Sequence, residues 1–442
     1  MKKIKLMQLI VFTLCFVFVF SGCSIVDFFA ADTLLRAPKL TGENAALQKA
    51  VEEAVGVDIS LFTPISGDYK SSYVLFDHNN DKIDEAVVFY AYNSNPSVIH
   101  MNLLTKIDDA WCSVSDVTGS GTGVYKVDFF NIDNQSGLEI AVTWLIDDIR
   151  REKMLSVYKV FSLVGGVDNA VSSVATIQLA DYVYLDIDSD AVNELLYFFN
   201  SDTDNSYLLS ARVLDYDSEE KSFIPMSEVK LSQSISSFED IKFEKSGNNF
   251  VFYIDCEAND QYFTEIMVYD YEKSAVSIES INGQAFSEIT FKQFPLNCVD
   301  FNDDGLLDIP CMLDSEDSYI SAQDTEYSPL SFVRWMNYKD GKFIEVSKSF
   351  VNNFDGYYFD ISDLYEYYYL VYDMTNKTLQ VRLKNSDPVN NLIFSVSFIK
   401  SDDSYSHLLP DLTDSDYEIV ISAQGESMNF TKSFIRSLIT EI

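Results

Sequence analysis

A nine-residue acidic stretch recurs along this chain, and its spacing limits the possible folds more than any other feature. Its fullest form is Asp300-Phe301-Asn302-Asp303-Asp304-Gly305-Leu306-Leu307-Asp308. Counting the first residue as offset 0, the stretches Asp77 to Glu85 and Asp186 to Glu194 carry oxygen-bearing side chains at the same offsets of 0, 2, 4 and 8. Asn131, Asp133, Gln135 and Glu139 form a weaker copy. The copies start 54, 55 and 114 residues apart, the last step being two of 57, so one unit between Asp186 and Asp300 has lost its loop. A fixed period of this size implies stacked or radial units built on one plan.

From about Val57 to Val351, short runs rich in Tyr, Phe, Val and Ile alternate with clusters of Asp, Asn, Ser and Gly, the pattern of strands and turns. The first unit reads as a strand (Ser72 to Phe76), the loop, a returning strand (Ala86 to Tyr92) and a hairpin of Val98 to Ile107 with Trp111 to Val117. Val183 to Leu185, Leu195 to Phe199, Leu208 to Asp217 and Ser222 to Leu231 repeat it. In the last unit, Phe332 to Tyr338 and Lys342 to Val346 flank a Lys339-Asp340-Gly341 hairpin turn. Unit four keeps strands at Phe250 to Ile254 and Glu265 to Tyr271, while Phe243 to Val251 lacks carboxylates at the required offsets. Four short antiparallel strands per unit, repeated around a ring, describe a propeller blade. The expectation is a mainly β fold: a β-propeller of about five four-stranded blades over 57–353. Gly119 to Gly123 links blades one and two. Residues 42–56 read as a short helix whose Ala45, Leu47, Val51 and Val55 pack on the first repeat. After Asn353 the period fails. Strands at Tyr357 to Asp360, Tyr367 to Asp373, Thr378 to Leu383, Leu392 to Ile399 and Tyr417 to Ser422, then a helix from about Met428 to Ile439, predict a small α+β C-terminal domain over 354–442.

The loops have the composition of a Ca2+ site. Ca2+ takes six to eight oxygens, from carboxylates and amides at alternate positions and from backbone carbonyls. In the fullest copy Asp300, Asn302 and Asp304 converge, Gly305 makes the sharp turn, Leu306 offers its carbonyl and Asp308 closes the shell. The corresponding sets are Asp186, Asp188, Asp190 and Glu194, and Asp77, Asn79, Asp81 and Glu85. Lys82 and Ala191 stand where Gly305 makes the turn, which strains the backbone if φ is positive there. With only two carboxylates and Gly137 displaced by one position, the Asn131 copy reads as a metal-free turn. A lone loop of this kind is more often a solvated Asx turn; three copies at constant spacing point to structural Ca2+ at one to three sites.

The N-terminus indicates an address. Lys2, Lys3 and Lys5 precede an apolar run from Leu6 to Phe20, the layout of a secretory leader over 1–22. Phe20-Ser21-Gly22-Cys23 resembles the bacterial lipoprotein cleavage box, which implies lipidation of Cys23, a tether over 23–41, and attachment to the extracytoplasmic face of the cell membrane through the lipid. Without the leader the chain keeps 28 of its 31 basic residues against 69 acidic ones. That balance excludes nucleic acid as a partner and disfavours anionic lipid surfaces. Cys298 and Cys311 flank the last loop, either as a disulfide across a hairpin or as two buried thiols.

The loops resemble those of FG-GAP and VCBS-type repeats, the blades of integrin-α-like propellers, in which Asp-x-Asp-x-Asp-Gly-x-x-Asp joins the first two strands. The Phe-Gly and Gly-Ala-Pro signatures of the FG-GAP family are missing here. The resemblance implies a structural metal and ligand binding by loops around a propeller. Catalytic patterns are lacking: His78, His100 and His407 have no spaced partner, and Gly119-Ser120-Gly121-Thr122-Gly123 is not followed by the lysine of a phosphate cradle. The expectation is a binding or interaction module for a protein or an envelope glycan, not an enzyme. The alternative is a carboxylate-based extracytoplasmic glycan hydrolase or lyase, built on acid pairs such as Asp147 and Asp148.

Overall fold

The computed structural model describes residues 42–135, 137–147, 152–164, 170–200, 208–292, 294–313, 319–321, 330–339, 341–352, 357–364, 366–373, 375–384, 391–400, 417–423, 435 and 437–441. The leader, Cys23 and the tether lie outside them, as do Asp148, Tyr365, His407 and residues 428–434 of the expected closing helix. No helix among the described residues is long and apolar enough to cross a membrane.

The protein is mainly β, and its described residues form one helix of length, α1 (Glu43–Val55), ahead of six sheets of four or five strands and a two-stranded ribbon of Ser280–Ile281 with Gln284–Ala285. Sheet one comprises Tyr73–Phe76, Glu85–Tyr92, Ile99–Ile107 and Ala110–Thr118, with Ile59–Phe62 paired to the far half of Glu85–Tyr92. Three four-stranded antiparallel meanders follow. Sheet two is Gly123–Phe130, Glu139–Asp147, Glu152–Val160 and Val171–Leu179. Sheet three is Asp181–Leu185, Glu194–Asn200, Leu208–Asp217 and Ser222–Ser234. Sheet four is Ser237–Ser246, Asn249–Ala258, Gln261–Asp270 and Ala275–Ile278. The strand pattern read from the sequence is thus present. In unit four the loop is replaced by a tight turn at Gly247 and Asn248, where Ser246 pairs with Asn249.

Adjacent sheets meet face to face. Strand Glu85–Tyr92 is apolar at almost every position because both of its faces are covered. Its Val87 and Phe89 pack with Val142 and Trp144 of sheet two, while Ala86 and Val88 pack under Leu47 and Val51 of α1, as expected for that helix. Ile132, Ala141 and Leu155 join Tyr182, Leu195 and Tyr197; Leu196 and Phe198 join Phe252 and Ile254; Val251 and Tyr253 join Ile309 and Met336. The glycine link between sheets one and two has a steric cause. A Cβ on Gly119 would stand 2.5 Å from the Trp144 ring, and one on Gly121 would stand 2.3 Å from the carbonyl oxygen of Leu145.

Two pairings cross the boundary expected at 353. Sheet five contains Asp308–Met312, Leu330–Lys339 and Lys342–Asn352, and continues into Tyr357–Asp360 and then Ile439–Glu441. Ile439 therefore opens a strand instead of ending a helix. Sheet six is a meander of Tyr368–Asp373, Thr378–Leu383, Leu392–Lys400 and Tyr417–Ala423, with Tyr319–Ser321 parallel to its first strand. Phe350 and Phe359 share a core with Leu370, Val381 and Phe394, so sheets five and six also meet face to face. Cys298 and Cys311 are buried free thiols, not a bridge.

Candidate metal centre

The three fuller acidic loops share one backbone, and the second loop, the Asn131 copy, follows it at offset 3. The offset-3 residues Asn80, Asn134, Ser189 and Asp303 all have positive φ, and so do the offset-5 residues Lys82 (69°), Ala191 (72°) and Gly305 (83°). In the Asn131 copy Gly137, at offset 6, also has positive φ. The side chains that the spacing singled out impose this shape. In the three fuller loops the offset-0 aspartate accepts the N–H groups of offsets 4 and 5: Asp77 from Asp81 and Lys82, Asp186 from Asp190 and Ala191, Asp300 from Asp304 and Gly305, all at 2.8–3.1 Å. The offset-4 aspartates Asp81, Asp190 and Asp304 then accept the N–H of Ile83, Val192 and Leu306 at 2.8–2.9 Å. Left-handed backbone costs an L-residue about 1–2 kcal/mol, whereas glycine visits it freely but loses more entropy on folding. Ala191→Gly is therefore expected to stabilise the protein by about 0.5–1 kcal/mol. Urea unfolding checks this, and a loss of stability would contradict it.

The offset-8 acid closes each loop from the start of the returning strand. Glu85, Glu139, Glu194 and Asp308 accept the N–H of His78, Ile132, Ile187 and Phe301 at 2.7–3.1 Å. The side chains of His78, Ile132 and Ile187 are buried, and Phe301 stacks on Trp335 with centroids 4.6 Å apart. Each loop is thus plugged into the core beneath it, and its closing acid is dragged out of water. Asp308 is 0 % exposed and Glu194 1 %. Burial pushes Glu194 up to about 8, with Asp188, Asp190 and Asp215 adding repulsion, and pushes Asp308 up to about 6. Glu85 and Asp188 are also raised, chiefly by burial.

The carboxylates converge most closely in the third unit, where Asp186, Asp188 and Glu194 bring oxygens within 4.8 Å of one another. Among the described residues, Asp188 Oδ1 and the buried Asp308 Oδ1 have no hydrogen-bond partner. Unsatisfied, crowded, buried carboxylate oxygens are unfavourable without a cation, and the donor set of carboxylates and backbone carbonyls suits a hard one. In the last loop, by contrast, Asn302 turns its amide to donate to Asp304 at 3.1 Å. In the first, Thr105 donates to Glu85 at 3.0 Å. The sequence marked the Asp300 loop as the most complete; the tightest gathering of acids is at Asp186.

One set of residues escaped the sequence reading, namely those facing the closing acids across the sheet. They are Thr105, Lys159, Asp215 and Asn337 in units one, two, three and five. Asp215 adds a further acid to the Asp186 loop. Lys159 pairs with Asp133 and lies 3.8 Å from Glu139. Burial raises Glu139 to about 7 and, with repulsion from Lys221 added, lowers Lys159; the Asp133 carboxylate is the ammonium's ion-pair partner.

The loops also brace one another. The offset-7 N–H of each later loop donates to the preceding unit: Leu138 to the carbonyl of His78 at 2.9 Å, Asn193 to the carbonyl of Asn131 at 2.7 Å. Leu307 donates to Glu244 at 3.0 Å, so a carboxylate of unit four replaces the missing loop as acceptor. The His78 ring donates from Nδ1 to the carbonyl of Leu138 at 3.0 Å, and a Cβ on Gly137 would stand 2.6 Å from that ring. Burial holds the imidazole below its ordinary range, which suits this neutral donor role. His100 lies 3.2 Å from Asp116 and stacks on Tyr90, whose hydroxyl donates to the same acid at 2.9 Å. Neither a protein-family model nor a curated protein matches the chain.

Proposed function

We propose that this protein is a lipid-anchored extracytoplasmic binding module whose sheets are the blades of a Ca2+-stabilised β-propeller, presenting its surface to a protein or an envelope glycan. The observation that carries the reading is the set of three acidic loops with one common backbone and buried closing acids; two of the loops leave a buried carboxylate oxygen, Asp188 Oδ1 and Asp308 Oδ1, without a hydrogen-bond partner. Ca2+ would be held by Asp186, Asp188, Asp190 and Glu194 in the third unit, by Asp300, Asn302, Asp304, the Leu306 carbonyl and Asp308 in the last, and by Asp77, Asn79, Asp81 and Glu85 in the first. Its charge would relieve the repulsion among these acids and lock each returning strand to its loop. The metal is structural in this reading, and recognition falls to the rest of the surface.

The lipid address rests on the leader and on Cys23. Two measurements test the whole. Cys23→Ala should move the protein from the membrane pellet to the soluble fraction. In-cell crosslinking of the full chain should capture an envelope component that is lost when calcium is chelated. Membrane retention of Cys23→Ala would sink the anchor, and calcium-independent capture would separate the loops from binding.

A further inference from the structure

Lys159 lies on the third strand of sheet two, one step beyond the pair of Ile140 and Tyr158, which sets it opposite Glu139. Its ammonium is ion-paired with Asp133 and is 3.8 Å from Glu139, and all three side chains are at most 9 % exposed. The ring of Tyr216, from sheet three, lies 5.9 Å from the same nitrogen. Asp133 and Glu139 hold offsets 2 and 8 of the second loop, the places that Asp188 and Glu194 hold in the third. The charge therefore comes from within the chain in the loop that carries the fewest carboxylates. The other units place Thr105, Asp215 and Asn337, which bring no positive charge, at the same cross-strand position. Loop two also stands between its neighbours, bonded to His78 on one side and Asn193 on the other.

We infer that Lys159 is a built-in cation that fills the second loop in place of a metal, keeping it closed at any divalent-ion concentration and so bracing the first and third loops. An ammonium fixed on a strand serves this role because removing one partner of a buried ion pair leaves the other carboxylates uncompensated. The inference deepens the calcium reading of the other loops, but its first test stands apart from it.

In the full chain, with EDTA present, Lys159→Met should lower the unfolding midpoint by roughly 5–10 °C. Adding Asp133→Asn and Glu139→Gln to Lys159→Met should recover much of that loss, since neutral amides need no cation. A Lys159→Met midpoint equal to the parent's, or a triple variant no better than the single one, overturns the inference. The second test is Lys159→Thr, which gives unit two the residue of unit one and leaves Asn131, Asp133, Gln135 and Glu139 free to take a metal. Titration with terbium, a luminescent stand-in for Ca2+, should count one more bound ion than in the parent. An unchanged count in a parent that does bind ions overturns the substitution of lysine for metal. A parent that binds none sinks the calcium reading instead and leaves the Lys159→Met comparison to decide.

Discussion

Calcium added to the EDTA-treated full chain is expected to raise its stability strongly, with the largest single share lost in an Asp186→Asn, Glu194→Gln variant. At a concentration about 100 times Kd, one site that binds only the native state contributes about 2.7 kcal/mol, so three would contribute about 8 kcal/mol. The third loop should dominate because its oxygens are gathered within 4.8 Å. The metal also makes the pH dependence predictable. Burial lifts Glu194 to about 8 and Asp308 to about 6, above the roughly 4.3 and 3.9 of free Glu and Asp. Between those values the native state holds protons that the unfolded chain has released. The stability that these two acids contribute in EDTA is therefore greatest below about pH 4 and is lost as pH rises through about 6 and then about 8. Calcium needs the deprotonated acids, so its stabilising effect should grow over the same window. Thermal unfolding at pH 5, 7 and 9, with and without calcium, reads both trends. A calcium effect that is flat with pH, or that survives intact in the double variant, would move the metal elsewhere or remove it.

Lys292→Met should cost about 3–5 kcal/mol, the usual penalty for breaking a buried ion pair. Lys292 Nζ, 2 % exposed, donates to Asp255 Oδ1 and Thr264 Oγ1 at 2.9 Å each and to the carbonyl of Leu296 at 2.6 Å. Asp255 holds the Cys298 N–H at 2.8 Å, and the backbones of Tyr262 and Lys292 exchange two hydrogen bonds. This network pins the connection between sheets four and five, and with it the segment leading into Asp300. Methionine fills the volume but abandons Asp255. The companion Asp255→Leu should restore part of the loss, because an apolar pair of similar shape carries no unpaired charge. Urea unfolding of the single and double variants tests this; equal stability of parent and Lys292→Met would mean that the network is relaxed by water.

The parts of the fold that were legible in the sequence are those set by local rules. Alternating strands, hairpin turns and the helix over 43–55 follow from side-chain period and turn chemistry, and positive φ at Lys82 and Ala191 follows from alignment with Gly305. The residues that were not legible depend on register. Lys159 meets Asp133 and Glu139 only because the register that pairs Ile140 with Tyr158 brings them together. No sequence spacing announces that partner. The same holds for Tyr319–Ser321, which pairs parallel with a strand about fifty residues further on, and for Ile439–Glu441, hidden in what reads as the end of a helix. Completeness of a motif also misled: the loop with the glycine is not the one that gathers its acids, because Asn302 is free to bond Asp304 while Asp188 is pressed against Glu194.

The pairing of Tyr357–Asp360 with Ile439–Glu441 has a kinetic consequence. Sheets one to four are closed by neighbouring hairpins, so each can form from a contiguous stretch of chain, with little loop entropy to overcome. Sheet five cannot be finished that way. Its outermost strand lies some eighty residues further along the chain, with most of sheet six in between, and must return before the edge is covered. Until then Tyr357–Asp360 offers open backbone groups to any passing strand. Loss of the Ile439–Glu441 strand would therefore be felt in the fifth sheet as an exposed edge, and aggregation rather than loss of the earlier sheets would be its first sign.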